Sequence, residues 1–387
     1  MLEIPDEDLR EIAPYANEEI PAAMQRVLAH PAIGSIASEF FPGVPLELLR
    51  EKAAKLKSTY DFQAQFIDPL LRGLEKRTTE GIKISGGEFR TRDGCYLFVC
   101  SHRDTILDPA LFTDLLFRDG FQTPQICLGS NLLLDPLAVD LLKMNKGITV
   151  KRNLAPRDLM RWSLALSRWI RHTIFTGRDS VWIAQQEGRA KDGNDQTHPG
   201  ILKMLALSGE GNFVQRLKTL NIVPVAISYE YDPSDAEKAL ELHRRAQSST
   251  YRKSARDDLA AIVRAMRDPK GGIHIQIGDP LDQLWEWAVG IGSKSDQAKF
   301  IAAEIDKKIH MQFHNWPSNY IAHDLLSGTQ AHGARYSQEK QQGFVERMEM
   351  RLDGLGLSRE DRGPVKTRML GMYAASVRRL KNGATLN

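Results

Sequence analysis

A histidine followed at short range by two carboxylates stands out in Ser101-His102-Arg103-Asp104-Thr105-Ile106-Leu107-Asp108, directly after the apolar run 96–100. A neutral imidazole can take a proton from a hydroxyl, and a nearby carboxylate can fix its tautomer and stabilise the imidazolium that forms. The segment passes from strand-like to turn-like to helix-like sequence, so His102 belongs at the carboxyl end of a strand. Asp108 is the expected partner carboxylate and Asp104 the reserve. The purely structural alternative is that Asp104 or Asp108 caps the following helix beside a solvated histidine.

The elements that must position this pair follow from periodicity. Short β-rich runs occur at 94–100, 125–128, 148–151, 180–184, 222–229 and 272–277, and most are separated by stretches of helical character. Strands alternating with helices imply an α/β fold with a mixed, mostly parallel sheet, in which ligands gather at the carboxyl ends of the strands. Residues 1–79 read as a helical N-terminal cap, with Ile20, Met24, Val27 and Leu28 at helical spacing and several prolines as punctuation. Residues 80–290 form the α/β domain, and 291–387 read as a helical C-terminal region.

At 387 residues with 42% hydrophobic content, the chain can bury a sizeable core. Its 52 Lys and Arg against 49 Asp and Glu leave a net charge of +3, which argues against a nucleic-acid-coating protein. Cys95, Cys100 and Cys127 lie in or beside apolar runs and read as small buried hydrophobes, not as disulfide or metal partners. The N-terminus has no signal-peptide pattern, and no stretch reaches the roughly 18 to 20 apolar residues needed to span a bilayer. A cytoplasmic protein is expected.

Three further blocks give the histidine a context. Gly147-Ile-Thr-Val-Lys151-Arg152 is a strand ending in two cations, Gln186-Glu187-Gly188-Arg189-Ala190-Lys191 follows the strand at 180–184, and Val223-Pro224-Val225 lies in the last long apolar run but one. In this order, and with Gly129-Ser130-Asn131, the blocks resemble the glycerol-phosphate and lysophosphatidic acid acyltransferase family in its bacterial glycerol acyltransferase-like form, over about residues 80–290. Five residues separate His102 from Asp108 where the family pattern has four. The third block has Arg189 and Lys191 flanking the position of the family's arginine. The His-Arg-Asp triplet of a protein kinase loop is a poorer match, because the Asn due five residues after Asp104 is Pro109 and no Asp-Phe-Gly follows.

The resemblance implies an O-acyltransferase of phospholipid biosynthesis. It would move a fatty acyl group from acyl-CoA or acyl carrier protein to a glycerol-phosphate or lysophospholipid hydroxyl, with 1-acylglycerol 3-phosphate the leading acceptor. His102 would be the base, Asp108 its orienting partner, Lys151 and Arg152 the anion site, and Glu187 and Gly188 the pocket floor, with Arg189 and Lys191 as further cations. No metal, cofactor or acyl-enzyme is required. Rival readings are a glycerol 3-phosphate or amino-acid-lipid O-acyltransferase, and a non-catalytic lipid- or carrier-binding protein on the same scaffold.

Residues 157–175 contribute a candidate membrane face. At ~100° per residue, Leu159, Trp162, Leu166, Trp169 and Ile170 share one stripe and Arg157, Arg161, Arg168 and Arg171 the other. Tryptophan opposite arginine suits a helix lying in a lipid interface, and thus a peripheral protein on the inner face of the plasma membrane. The alternative is a core-packing helix with a solvated face.

Overall fold

The structure is a computed structural model that describes residues 5–91, 94–133, 135–248, 250–251 and 263–383, with side chains described through Arg379. Seven strands form one sheet: β1 (Thr79–Gly86), β2 (Leu97–Cys100), β3 (Gln125–Gly129), β4 (Gly147–Val150), β5 (Val181–Ala184), β6 (Ile222–Tyr229) and β7 (Gly271–Ile277). Their order is β1-β7-β6-β2-β5-β3-β4, and every neighbouring pair is parallel except β6 and β7. The mixed, mostly parallel α/β sheet flanked by helices is as the sequence pattern implies.

Strand β2 lies at the centre, with Cys100 in register with Ala184 of β5 on one side and Val225 of β6 on the other. All four of its residues are buried, which is why it reads as a continuous apolar run instead of an alternating one. The pleat sends Leu97 and Val99 to one core, under the helices Pro156–Phe175, Pro199–Leu205 and Lys294–Gln312. Phe98 and Cys100 go to the other, with the helices Asp68–Thr78 and Leu107–Arg118.

Strand β1 was not expected from the pattern. It is a half-exposed edge strand, interrupted by Gly81 and Gly86, so it lacks both the apolar run of a buried strand and a clean alternation. Pro224 stands inside β6, an interior strand. Its carbonyl accepts from Gly278 just beyond the last β7 residue in register, so its missing N–H removes no rung of that ladder.

Two further apolar clusters lie off the sheet. The N-terminal helices bury Ile20, Met24, Val27, Phe62 and Phe66 with Leu137 and Met144. At the other end, the helices Pro317–Ser327, Gln338–Asp353 and Arg359–Gly383 pack with the helix Asp235–Gln247, burying Ile321, Phe344, Met348 and Val365. Among the described residues no strand follows β7, and no helix is long and apolar enough to cross a membrane. The three cysteines are free thiols; Cys100 and Cys127 are buried and Cys95 half-buried.

The amphipathic stretch forms the helix Pro156–Phe175, but its tryptophan stripe is turned inward. Leu166 and Ile170 are buried in the sheet core, and Trp162 and Trp169 pack against it. The indole N–H of Trp169 donates to Gln125 at 2.8 Å. The opposite stripe is also engaged: Arg161 pairs with Asp8, and Arg171 donates to the carbonyl of Arg216 and the hydroxyl of Thr219. This corrects the lipid-interface expectation for the stripe, because covering a sheet face buries more apolar area than one stripe laid on lipid headgroups would. Its first turn leaves Leu159 and Met160 exposed, and Phe175 is exposed at its far end.

Candidate functional site

The parallel strands β2, β3, β4 and β5 deliver their carboxyl ends to one cleft. It encloses about 230 Å³ and is lined by His102, Gly129, Asn131, Arg152, Gly188 and Arg189, among others. The parallel sheet is what brings these blocks together: His102 and Arg189 lie 87 positions apart, yet each block follows on a strand of one parallel set.

The turn after β2 is held by its two aspartates in different ways. Asp104 Oδ1 accepts from the backbone N–H of Ile106 at 3.0 Å and Leu107 at 2.9 Å, and so caps the helix Leu107–Arg118. Asp108 sits in the first turn of that helix, fully buried, and reaches back. Its Oδ2 accepts from the N–H of Arg103 at 2.5 Å and of Asp104 at 2.8 Å, and lies 3.2 Å from His102 Nδ1. Its Oδ1 accepts from the Tyr229 hydroxyl at 2.7 Å. The five intervening residues are thus a turn closed by reciprocal carboxylate-to-backbone bonds, and Asp108, not Asp104, is the carboxylate at His102.

Other contacts fix the ring. The backbone carbonyl of His102 accepts from Ala190 N–H at 2.8 Å, which ties the β2 turn to the loop after β5. The edge of Trp182 meets the imidazole at 72° with centroids 5.8 Å apart. With Nδ1 directed at Asp108, Nε2 is the nitrogen available to a substrate in the cleft. The buried tyrosine at this carboxylate has its hydroxyl pushed well above the ordinary range, first by burial and then by the charge of Asp108, so it remains a donor.

The cleft is rich in cations. Arg152 lines it at the end of β4 and pairs with Glu187 at 2.8 Å. Arg189, largely buried, lies 4.0 Å from Asp104. Lys191 and Arg245 both pair with Glu241, at 2.5 Å and 2.7 Å. Burial holds the Lys191 ammonium below its usual range, with Glu241 opposing that shift. Gly188 turns at φ +76, a conformation that glycine adopts without strain, and so lets Arg189 follow into the cleft wall. Cys127 also lines the cleft, but burial pushes its thiol up to about 12, against the opposing pull of Arg152.

Two expected residues lie elsewhere. Lys151 points to the other side of β4, where it pairs with Glu11 and sits 4.9 Å over the Trp162 ring. The two residues just past β4 carry on its alternation, which sends their side chains to opposite sides. The Glu187 side chain is largely exposed and is absent from the cleft lining; it touches the site only through Arg152. Conversely, sequence reasoning missed Tyr229, Glu241 and Arg245, and gave no role to Trp182 or Asn131. Tyr229 ends a strand parallel to β2, which was a usable signal. Glu241 and Arg245 lie on a polar helix with no spacing relation to any motif.

A second cavity, about 240 Å³ and almost wholly apolar, lies between the N-terminal helices and the helix Leu107–Arg118. Its lining includes Met24, Phe41, Phe62, Phe66, Ile106 and Leu141. The two spaces are adjacent in the chain, since Thr105 lines the polar cleft and Ile106 the apolar cavity.

Comparison with known proteins finds sequence similarity to acyltransferases. The chain is 27% identical over 250 residues to the glycerol-3-phosphate acyltransferase of Pseudomonas paraeruginosa, a match that covers 61% of this chain and 28% of that protein. Its namesake in Pseudomonas syringae pv. tomato is 25% identical over 244 residues, with the same coverage of both chains. The match thus spans just over a quarter of the length of these relatives. Among solved structures, the 1-acyl-sn-glycerophosphate acyltransferase of Thermotoga maritima aligns with a TM-score of 0.37 at 13% identity, over 76% of this chain and 95% of that one. No protein-family profile matches the chain. Over 61% of its length, then, this chain is similar in sequence to glycerol-3-phosphate acyltransferases.

Proposed function

We propose that this protein transfers a fatty acyl group from a thioester, acyl-CoA or acyl carrier protein, to the hydroxyl of a glycerol-phosphate acceptor. The observation that carries the reading is a buried His102–Asp108 pair, 3.2 Å apart, opening on a cleft walled by Arg152, Arg189, Lys191 and Arg245. A base and fixed cations are what an alcohol bearing a phosphate requires. The adjacent apolar cavity suits an acyl chain.

In this mechanism His102 Nε2 takes the proton of the acceptor hydroxyl as its oxygen attacks the thioester carbonyl. The tetrahedral intermediate collapses, the C–S bond breaks, and the imidazolium returns the proton to the departing thiolate. Asp108 favours the imidazolium throughout. A direct attack suits the cleft because its only cysteine, Cys127, is held as a thiol, and so is a poor nucleophile. The chemistry calls on neither a metal nor a cofactor.

The acceptor is proposed to be 1-acylglycerol 3-phosphate, or glycerol 3-phosphate, the second being favoured by the names of the relatives. A lipid acceptor or product implies work at a membrane surface. Contact there, on the inner face of the plasma membrane, is assigned to the exposed Leu159, Met160 and Arg157. The reading is tested by incubating purified protein with each donor and a panel of acceptors, following thiol release and lipid product; thiol release that does not depend on any acceptor would refute it.

Arg152 separates acceptor binding from chemistry. Its guanidinium is held by an exposed carboxylate, Glu187, which a phosphate can displace. Arg152→Ala is expected to raise KM for a phosphorylated acceptor by roughly 10- to 150-fold, the equivalent of about 1.5–3 kcal/mol for a charge-assisted bond, with donor KM nearly unchanged. Arg152→Lys should recover only part, since an ammonium lacks the planar two-pronged contact. Lys151→Ala, facing Glu11, should leave acceptor KM alone. Equal losses on acceptors with and without phosphate would instead place Arg152 in the fold or the donor site.

A further inference from the structure

The helix Pro317–Ser327 carries His323 and Asp324 side by side near its end and stops at Gly328, whose φ of +63 reverses the chain. The returning turn is closed on Asp324: the N–H of Thr329 donates to its carbonyl at 3.1 Å, and the N–H of His332 donates to its Oδ2 at 2.8 Å. The Tyr336 hydroxyl donates to the same oxygen at 2.9 Å. The other oxygen, Oδ1, faces His323 Nδ1 at 3.3 Å. The two imidazoles meet edge to face with centroids 4.9 Å apart. One donor atom from each of His323, Asp324 and His332 therefore lies within 4.8 Å of the other two.

We propose that His323, Asp324 and His332 bind one divalent transition-metal ion, with zinc the best fit. Two imidazole nitrogens and one carboxylate oxygen are its ordinary donors, and four-coordination leaves one position for water. Ligands at about 2.0–2.2 Å from zinc stand roughly 3.4 Å apart, so side-chain rotations of about 1 Å close the present cluster onto an ion. Asp324 is already oriented for this, because His332 N–H and the Tyr336 hydroxyl hold its second oxygen in the way outer-shell partners hold a ligating carboxylate. Nothing in the linear spacing announces the site: seven residues separate Asp324 from His332, and the reversal at Gly328 brings them together.

The site lies apart from the cleft, in the helical layer that packs against Asp235–Gln247. Its role is to pin the turn between the helices Pro317–Ser327 and Gln338–Asp353, and it is independent of the acyltransfer reading. The experiment uses the untagged full chain after dialysis against a chelator, with Zn²⁺ titrated calorimetrically and Co²⁺ added in parallel for its visible absorption. One saturable ion per chain is expected, with a rise in Tm and a cobalt spectrum of nitrogen ligation. His323→Gln and His332→Gln should each weaken zinc at least about tenfold, since losing even an outer-shell partner costs 10- to 100-fold. His332 is half-exposed on a turn, so its variant should keep the metal-free Tm; it decides the matter even if His323→Gln fails to fold. Absence of saturable binding and of the cobalt spectrum in the wild type, or affinity and spectrum unchanged in folded His332→Gln, would overturn the proposal.

Discussion

His102→Ala is expected to lose on the order of 100- to 10,000-fold in acyl transfer, the usual contribution of a positioned general base. The fold should survive. When the ring is removed, Asp108 still accepts from two backbone N–H groups and the Tyr229 hydroxyl, so no buried carboxylate is left without donors. The ring lines the cleft, so its removal enlarges a space already open, and it meets Trp182 in a T-shaped contact. Thiol release and a thermal melt on the same preparation make the check. A folded variant with near wild-type turnover would remove His102 from the chemistry, and the cleft would then have to be read as a binding site.

How far this arrangement was legible in the sequence differs residue by residue. Strand β2 and the turn after it were readable because a central parallel strand, buried on both faces, leaves an apolar run that ends abruptly in polar residues. The convergence of His102, Arg152 and Gly188 followed from that rule once the strands were placed. Lys151 was misplaced because adjacent residues at a strand's end were assigned one role without applying the alternation that sends them apart. The tryptophan stripe was read as lipid-facing because amphipathicity gives a direction but not a partner, and here the partner is the sheet core. Strand β1 escaped notice as a glycine-interrupted edge strand. Arg245 and Glu241 were invisible, since the helix that carries them reaches the cleft only through packing with the C-terminal helices, a contact no local pattern encodes.

The five-residue spacing between His102 and Asp108 yields the second large effect. Asp108→Asn keeps the shape of the side chain: its amide oxygen can still accept from Arg103 and Asp104, and its NH₂ can donate to a reoriented Tyr229 hydroxyl. What disappears is the negative charge beside Nδ1, which favours the imidazolium formed as the acceptor is deprotonated. The expected result is a fall in kcat approaching that of His102→Ala, with KM for both substrates and Tm little changed. Asp104→Asn is the matched control. Its amide oxygen can still accept from Ile106 and Leu107, and Asn caps a helix about as well as Asp, so stability should change little and kcat stay near wild type. The double variant His102→Ala/Asp108→Asn sharpens the test, because a residue that acts only through another has nothing left to orient once that one is gone. It should be no slower than His102→Ala alone. Multiplicative losses in the double variant, or a kcat defect in Asp104→Asn as deep as in Asp108→Asn, would show that the carboxylate 3.2 Å from the imidazole is not the one that serves it.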